Sequence, residues 1–101
     1  DWDDAVQAAI DAPRGVLDAA VETLRLLNDL CGKTNRMLDS DLAIAAILAE
    51  AAARSAAWNI RINLPQVEDS SQRATHQSAM DAALEEACRL AKGIEQHCAG
   101  S

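Results

Sequence analysis

SDLAIAAILAEAAARSAAWNIRINL, Ser40 to Leu64, is the stretch whose reading decides the fold, and Pro65 closes it. It is rich in alanine and leucine and holds no glycine or proline. The composition therefore predicts one helix of about 23 residues, roughly 34 Å long. Ser40 or Asp39 is placed to cap its first amides, Asp41 adds negative charge to the first turn, and Pro65 cannot continue it.

The polar residues of this helix form two seams. At about 100° per residue, Asp41, Ser55, Asn59 and Asn63 share one stripe with Ala45, Ala52 and Ala56, while Glu50, Arg54 and Arg61 fall nearly opposite. Ile44, Ile47, Leu48, Ala51 and Trp58 supply apolar flanks between them. That distribution predicts a central helix with neighbours on several sides, and its alanines admit a close partner.

The rest of the chain agrees with an all-α fold. Its 101 residues make one domain with a modest core, read as a single helical domain over 1–101. Hydrophobic residues make up 50%, much of it alanine, with no Phe or Tyr. β-Branched and aromatic residues are too scarce for a sandwich, so the expectation is an antiparallel helix bundle around one long central alanine-rich helix. Trp2, Val6 and Ile10 mark a first helical segment, which Asp11 to Pro13 is expected to break and restart. Leu17, Ala20, Val21, Leu24, Leu27 and Cys31 line one face of a second helix ending at Gly32. After a polar loop from Gly32 to Asp39 and the long helix, Pro65 to Ser71 connects to a last helix over Gln72 to Cys98. There Met80, Leu84, Ala87, Ala91, Ile94 and Cys98 recur at near-heptad spacing.

Charge and cysteine usage exclude several function classes. A net charge of −7 and a pI near 4.6 argue against nucleic acid and against an anionic membrane surface as partners. No apolar run is long enough to span a bilayer, and no secretory segment is visible. Cys31, Cys88 and Cys98 suit reduced thiols in a cytoplasmic protein better than a disulfide framework. His97 beside Cys98, with Cys88 and His76 elsewhere, fits no zinc spacing, so no metal site is assigned. Nor is there a glycine-rich phosphate loop, a nucleophile elbow or a local Ser-His or Cys-His pairing.

Two groups remain as candidates. Asn59, Arg61 and Asn63 end the long helix; the carboxamides share a face and the arginine points elsewhere, so either several elements meet there or these side chains cap the last carbonyls. Asp41 is either a first-turn carboxylate favoured by the helix dipole or a general acid/base and counter-charge for a cationic intermediate. Asp41 and Asn63 lie about 33 Å apart along the axis, so within one subunit they serve different pockets unless symmetry joins neighbouring subunits. Narrow bundle and polar seams together predict a homodimer or higher homo-oligomer.

The run from Gly32 through Asn35 to Ser40-Asp41, the alanine-rich helix with Glu50 and Arg54, and the Asn59-x-Arg61-x-Asn63-Leu64 ending resemble the cyclodeaminase/cyclohydrolase family. That family includes the cyclodeaminase part of formimidoyltransferase-cyclodeaminase and free-standing methenyltetrahydrofolate cyclohydrolases. The Ala12-Pro13 restart is similar too, whereas Ser55 and Trp58 stand where relatives more often carry glycine and a smaller aliphatic residue. The resemblance covers the C-terminal half of the family's domain; nothing here corresponds to the proline- and glycine-rich opening segment that contributes to the folate pocket.

The resemblance implies a reduced folate substrate with a one-carbon unit between N5 and N10, and no separate cofactor. A cyclohydrolase adds water to the methenyl carbon and opens the ring; a cyclodeaminase closes N10 onto a 5-formimino carbon and expels ammonia. Both pass through a tetrahedral carbon flanked by nitrogens and need proton transfer beside an amidinium-like charge. On that reading Asp41 is catalytic, Asn59 and Asn63 hold the pterin or the attacking water, and Arg61, Lys33 or Arg36 meets the glutamate tail. The alternative is a non-catalytic helical oligomerisation module that keeps the family scaffold.

Overall fold

The computed structural model describes residues 1–100 and is all-helical. Among them, three α-helices follow one another: α1 (Trp2–Leu30), α2 (Asp39–Asn63) and α3 (Ser70–Gly100). Short 3-10 turns, Arg36–Leu38 and Leu64–Gln66, lead into and out of α2. Arg25 of α1 pairs with Glu86 of α3, and Asn63 at the end of α2 reaches Ala9 near the start of α1. α1 and α3 therefore run parallel and α2 runs antiparallel to both, in a rod of 52 × 18 × 17 Å.

Local chemistry sets most of the ends. Asp1 accepts from the Asp4 amide at 2.8 Å, and Asp69 accepts from the amides of Ser71 (2.8 Å) and Gln72 (3.2 Å), capping α1 and α3. Asn35 accepts from the Met37 amide at 2.9 Å and opens the turn before α2. Gly32 has φ +79°, the left-handed conformation only glycine adopts freely, and the Lys33 amide closes on the Leu30 carbonyl at 3.0 Å. Neither Ser40 nor Asp39 caps α2, contrary to expectation. Its N-cap is Leu38, without a side-chain bond, because the preceding turn already runs into the helix.

The break expected at Asp11 to Pro13 is absent: α1 is one 29-residue helix with Pro13 inside it. Proline has no N–H, so the carbonyl four residues back, on Ala9, loses its helical donor. The Asn63 side chain occupies that vacancy, its Nδ2 donating to the Ala9 oxygen at 3.5 Å and to the Asn59 oxygen at 2.9 Å. A long-range partner thus takes over a local bond that the sequence forfeits. The bundle accordingly has three helices and not four.

The core is asymmetric. α1 contributes Ile10, Leu17 and Leu24 and α3 contributes Met80 and Ile94, all fully buried. α2 meets them with Ala46, Ala53, Ala56 and Ala57, bracketed by Leu42 and Ile60. Small residues on α2 accept large ones from both neighbours, which brings the axes close. The large residues expected to be buried on α2 face outward instead: Ile44, Ile47, Leu48 and Trp58 are 48% to 65% exposed, and Ile62 beside them is 67% exposed. Two neighbours cover only one side of α2, so within one chain it is not surrounded as the sequence pattern suggested.

Candidate functional site

α2 is unbroken from Asp39 to Asn63, and it carries one group of candidate residues at each end. Asp41 lies exposed in its first turn, and Lys33 and Arg36 are exposed on the loop that precedes it. Asn59, Arg61 and Asn63 lie at the far tip. One chain therefore does not assemble these six residues; 18 residues of straight helix hold Asp41 about 27 Å from Asn59.

At the first end, the residue that folding encloses is Asp39, only 9% exposed. Its carboxylate lies near two thiols. Burial first, and the Asp39 charge second, push the thiols of Cys31 and Cys98 above the usual cysteine range. Both are therefore held as neutral thiols, and Cys31 Sγ donates to the Leu27 carbonyl at 3.6 Å. Thr34 Oγ1 is also buried here on the same loop, without a hydrogen-bond partner among the described residues. Sequence reasoning passed over Asp39 because adjacent carboxylates at a helix start look alike until the third helix is in place.

At the tip, three side chains do different things. Asn63 spends its amide hydrogens on the carbonyls of Ala9 and Asn59. Arg61 lies over the Trp58 ring, its guanidinium carbon 5.1 Å from the ring centroid, a cation–π contact that leaves its N–H groups available. Asn59 is exposed. Arg61 also borders an open groove of about 700 Å³ lined by Leu64, Pro65, Ser70, Arg73, Ala74 and Gln77.

Arg73 is the residue the sequence pattern did not single out. It sits in the first turn of α3, where its Nη1 donates to the Val67 carbonyl at 2.6 Å, and it faces the same groove as Arg61. Two guanidiniums beside Ser70 and Gln77 suit a carboxylate-bearing ligand in an otherwise acidic protein. Only the turn over Leu64–Gln66 brings them together, so no local spacing announces the pair.

No helix among the described residues is long and apolar enough to cross a membrane. The family model described as formiminotransferase-cyclodeaminase matches residues 1–82, which takes in α1, α2 and the first turns of α3 and every candidate residue named above apart from Cys98. No curated protein and no solved structure matches the chain.

Proposed function

Because the chain belongs to the formiminotransferase-cyclodeaminase family, we propose that it acts in folate one-carbon chemistry on a reduced folate bridged between N5 and N10. The reaction is either hydrolysis of the methenyl bridge or cyclisation of a formimino group with loss of ammonia. The observation that carries this reading is the span of the family match, which includes both the Ser40-Asp41 step and the Asn59 to Asn63 tip.

Each residue has a role its surroundings allow. Asp41, exposed in the first turn of α2, moves the proton at the tetrahedral carbon and offsets the amidinium charge. Arg61 and Arg73 hold the carboxylates of the glutamate tail in the groove they share. Asn59 binds the pterin or the attacking water, assisted by the free carbonyl oxygen of the Asn63 side chain. Lys33 and Arg36 offer a second cationic contact beside Asp41. Since α2 keeps its two ends apart, the chemistry belongs to a cytoplasmic homo-oligomer in which ends of different copies meet.

The separation of Asp41 from the tip is also the observation that favours the second reading, a helical module that keeps the scaffold without turnover. Incubation with methenyltetrahydrofolate, followed by loss of its bridge absorbance, distinguishes the two. Turnover that Asp41→Asn reduces by about 10²-fold or more, with helicity unchanged, supports the enzyme. A folded chain with no rate above buffer and no folate heat by calorimetry leaves the module.

A further inference from the structure

We propose that Trp58 is a positioning residue: its ring holds the Arg61 guanidinium at the border of the groove, with the N–H groups turned over to a ligand carboxylate. The inference rests on the reading of that groove as a carboxylate site, and not on turnover. Arg61 follows Trp58 by one turn of α2, and side chains on a helix lean toward its N-terminus, so the arginine comes to lie over the indole. Its guanidinium carbon stands 5.1 Å from the ring centroid. The ring attracts the cation through its electron-rich face and accepts no conventional hydrogen bond from it, so the N–H donors stay open. Asp and Glu outnumber Lys and Arg in this chain, 16 to 9, yet none of those described stands within ion-pair distance of Arg61.

The two guanidiniums of the groove are held in different ways. Arg73 is tied to the main chain, its Nη1 donating to the Val67 carbonyl at 2.6 Å. Arg61 has the indole instead. An arginine without any tether has much side-chain freedom to lose when a ligand fixes it, and a ring that already holds it lowers that cost before the ligand arrives. Trp58 does not line the groove, so it acts on a ligand through Arg61 and not by touching it. It is also 63% exposed, so it can be exchanged without opening a cavity in the core. Leu64, Pro65 and Ala74 set an apolar wall beside the two cations. The ligand class that fits is an apolar body bearing two carboxylates.

Calorimetric titration of the intact chain with para-aminobenzoylglutamate tests this, with far-UV circular dichroism as the folding control. That probe has an aryl body and two carboxylates but no reactive one-carbon bridge. Arg61→Ala should weaken its binding by at least about tenfold. Trp58→Leu keeps apolar bulk and removes the ring; it should weaken binding by about two- to fivefold, and Trp58→Tyr should recover part of the loss. In an Arg61→Ala background, Trp58→Leu should change nothing. A parent chain that does not bind the probe overturns the inference. So does a Trp58→Leu loss of the same size with and without Arg61, or a Trp58→Tyr variant no better than Trp58→Leu. Turnover of methenyltetrahydrofolate by a chain whose probe affinity ignores Trp58→Leu sinks the positioning role alone. Probe binding that depends on Trp58 through Arg61, in a chain without turnover, removes the chemistry and leaves the positioning role standing.

Discussion

The inverted packing of α2, small residues inward and large ones outward, makes a prediction about stability that runs against residue size. Ile60 is 1% exposed and fills the bundle, so Ile60→Ala removes a buried side chain and leaves a cavity, at about 2–5 kcal/mol. Leu48 is 65% exposed. A fully buried leucine is worth about 1.5–3 kcal/mol, so the third of its surface that is covered contributes roughly 0.5–1 kcal/mol. Alanine's better helix propensity returns about 0.2 kcal/mol of that, and Leu48→Ala should therefore cost roughly 0.5 kcal/mol. Ala53 has no exposed surface, and Ala53→Leu forces a larger side chain between close helices for about 1–3 kcal/mol. The assay is thermal unfolding monitored by circular dichroism, at a concentration low enough for sedimentation to show monomer. For a domain of this size each kcal/mol appears as about 4–8 °C in Tm. The order expected is Ile60→Ala worst, Ala53→Leu next and Leu48→Ala nearly neutral. A Leu48→Ala variant as damaged as Ile60→Ala, or an Ala53→Leu variant as stable as the parent, refutes the inverted packing.

Further tests address single bonds. Asn63→Ala should cost about 0.5 kcal/mol more in the parent than in a Pro13→Ala background, where residue 13 regains an amide for the Ala9 carbonyl; equal costs in both backgrounds would show that Asn63 does not serve that carbonyl. Arg25 donates to Glu86 at 2.7 Å through both Nε and Nη2, and this hydrogen bond holds the Glu86 carboxyl below the usual range. A depressed carboxyl contributes stability that is fully present above its unfolded pKa and is lost as pH falls through its folded pKa. Thermal stability should accordingly decline on acidification below the ordinary glutamate range, and Glu86→Gln should flatten that decline; an unchanged slope would remove the pair from the pH response. Cys88 is exposed, whereas burial raises the Cys31 and Cys98 thiols, so iodoacetamide at mildly alkaline pH should label Cys88 first by mass spectrometry. Equal labelling of all three would contradict that environment.

Periodicity revealed much of this fold. Leu17, Val21 and Leu24 on α1 and Met80, Ala87, Ala91 and Ile94 on α3 are spaced for a buried face, and all are buried. α2 resisted the same treatment because it has two apolar faces, one of alanines and one of large side chains, and size alone points to the wrong one. What decides is the volume supplied by Ile10, Leu17, Leu24, Met80 and Ile94 on its neighbours, which is a property of the assembled bundle. Pro13 misled for a related reason: its local rule is sound, but the compensating donor lies 50 residues away on Asn63. The candidate site was legible as residue types at the two ends of α2. Asp39 and Arg73 were not, since only tertiary contact separates the former from Asp41 and brings the latter beside Arg61.

The 52 × 18 × 17 Å envelope gives each copy a long flank and two small ends. Two such rods laid flank to flank make a slab hardly longer than one of them, and its scattering profile would gain breadth while keeping nearly the same maximum dimension. Joined at their ends they would form a needle of nearly twice the reach, slow to rotate about its short axes. Small-angle scattering separates slab from needle without any substitution.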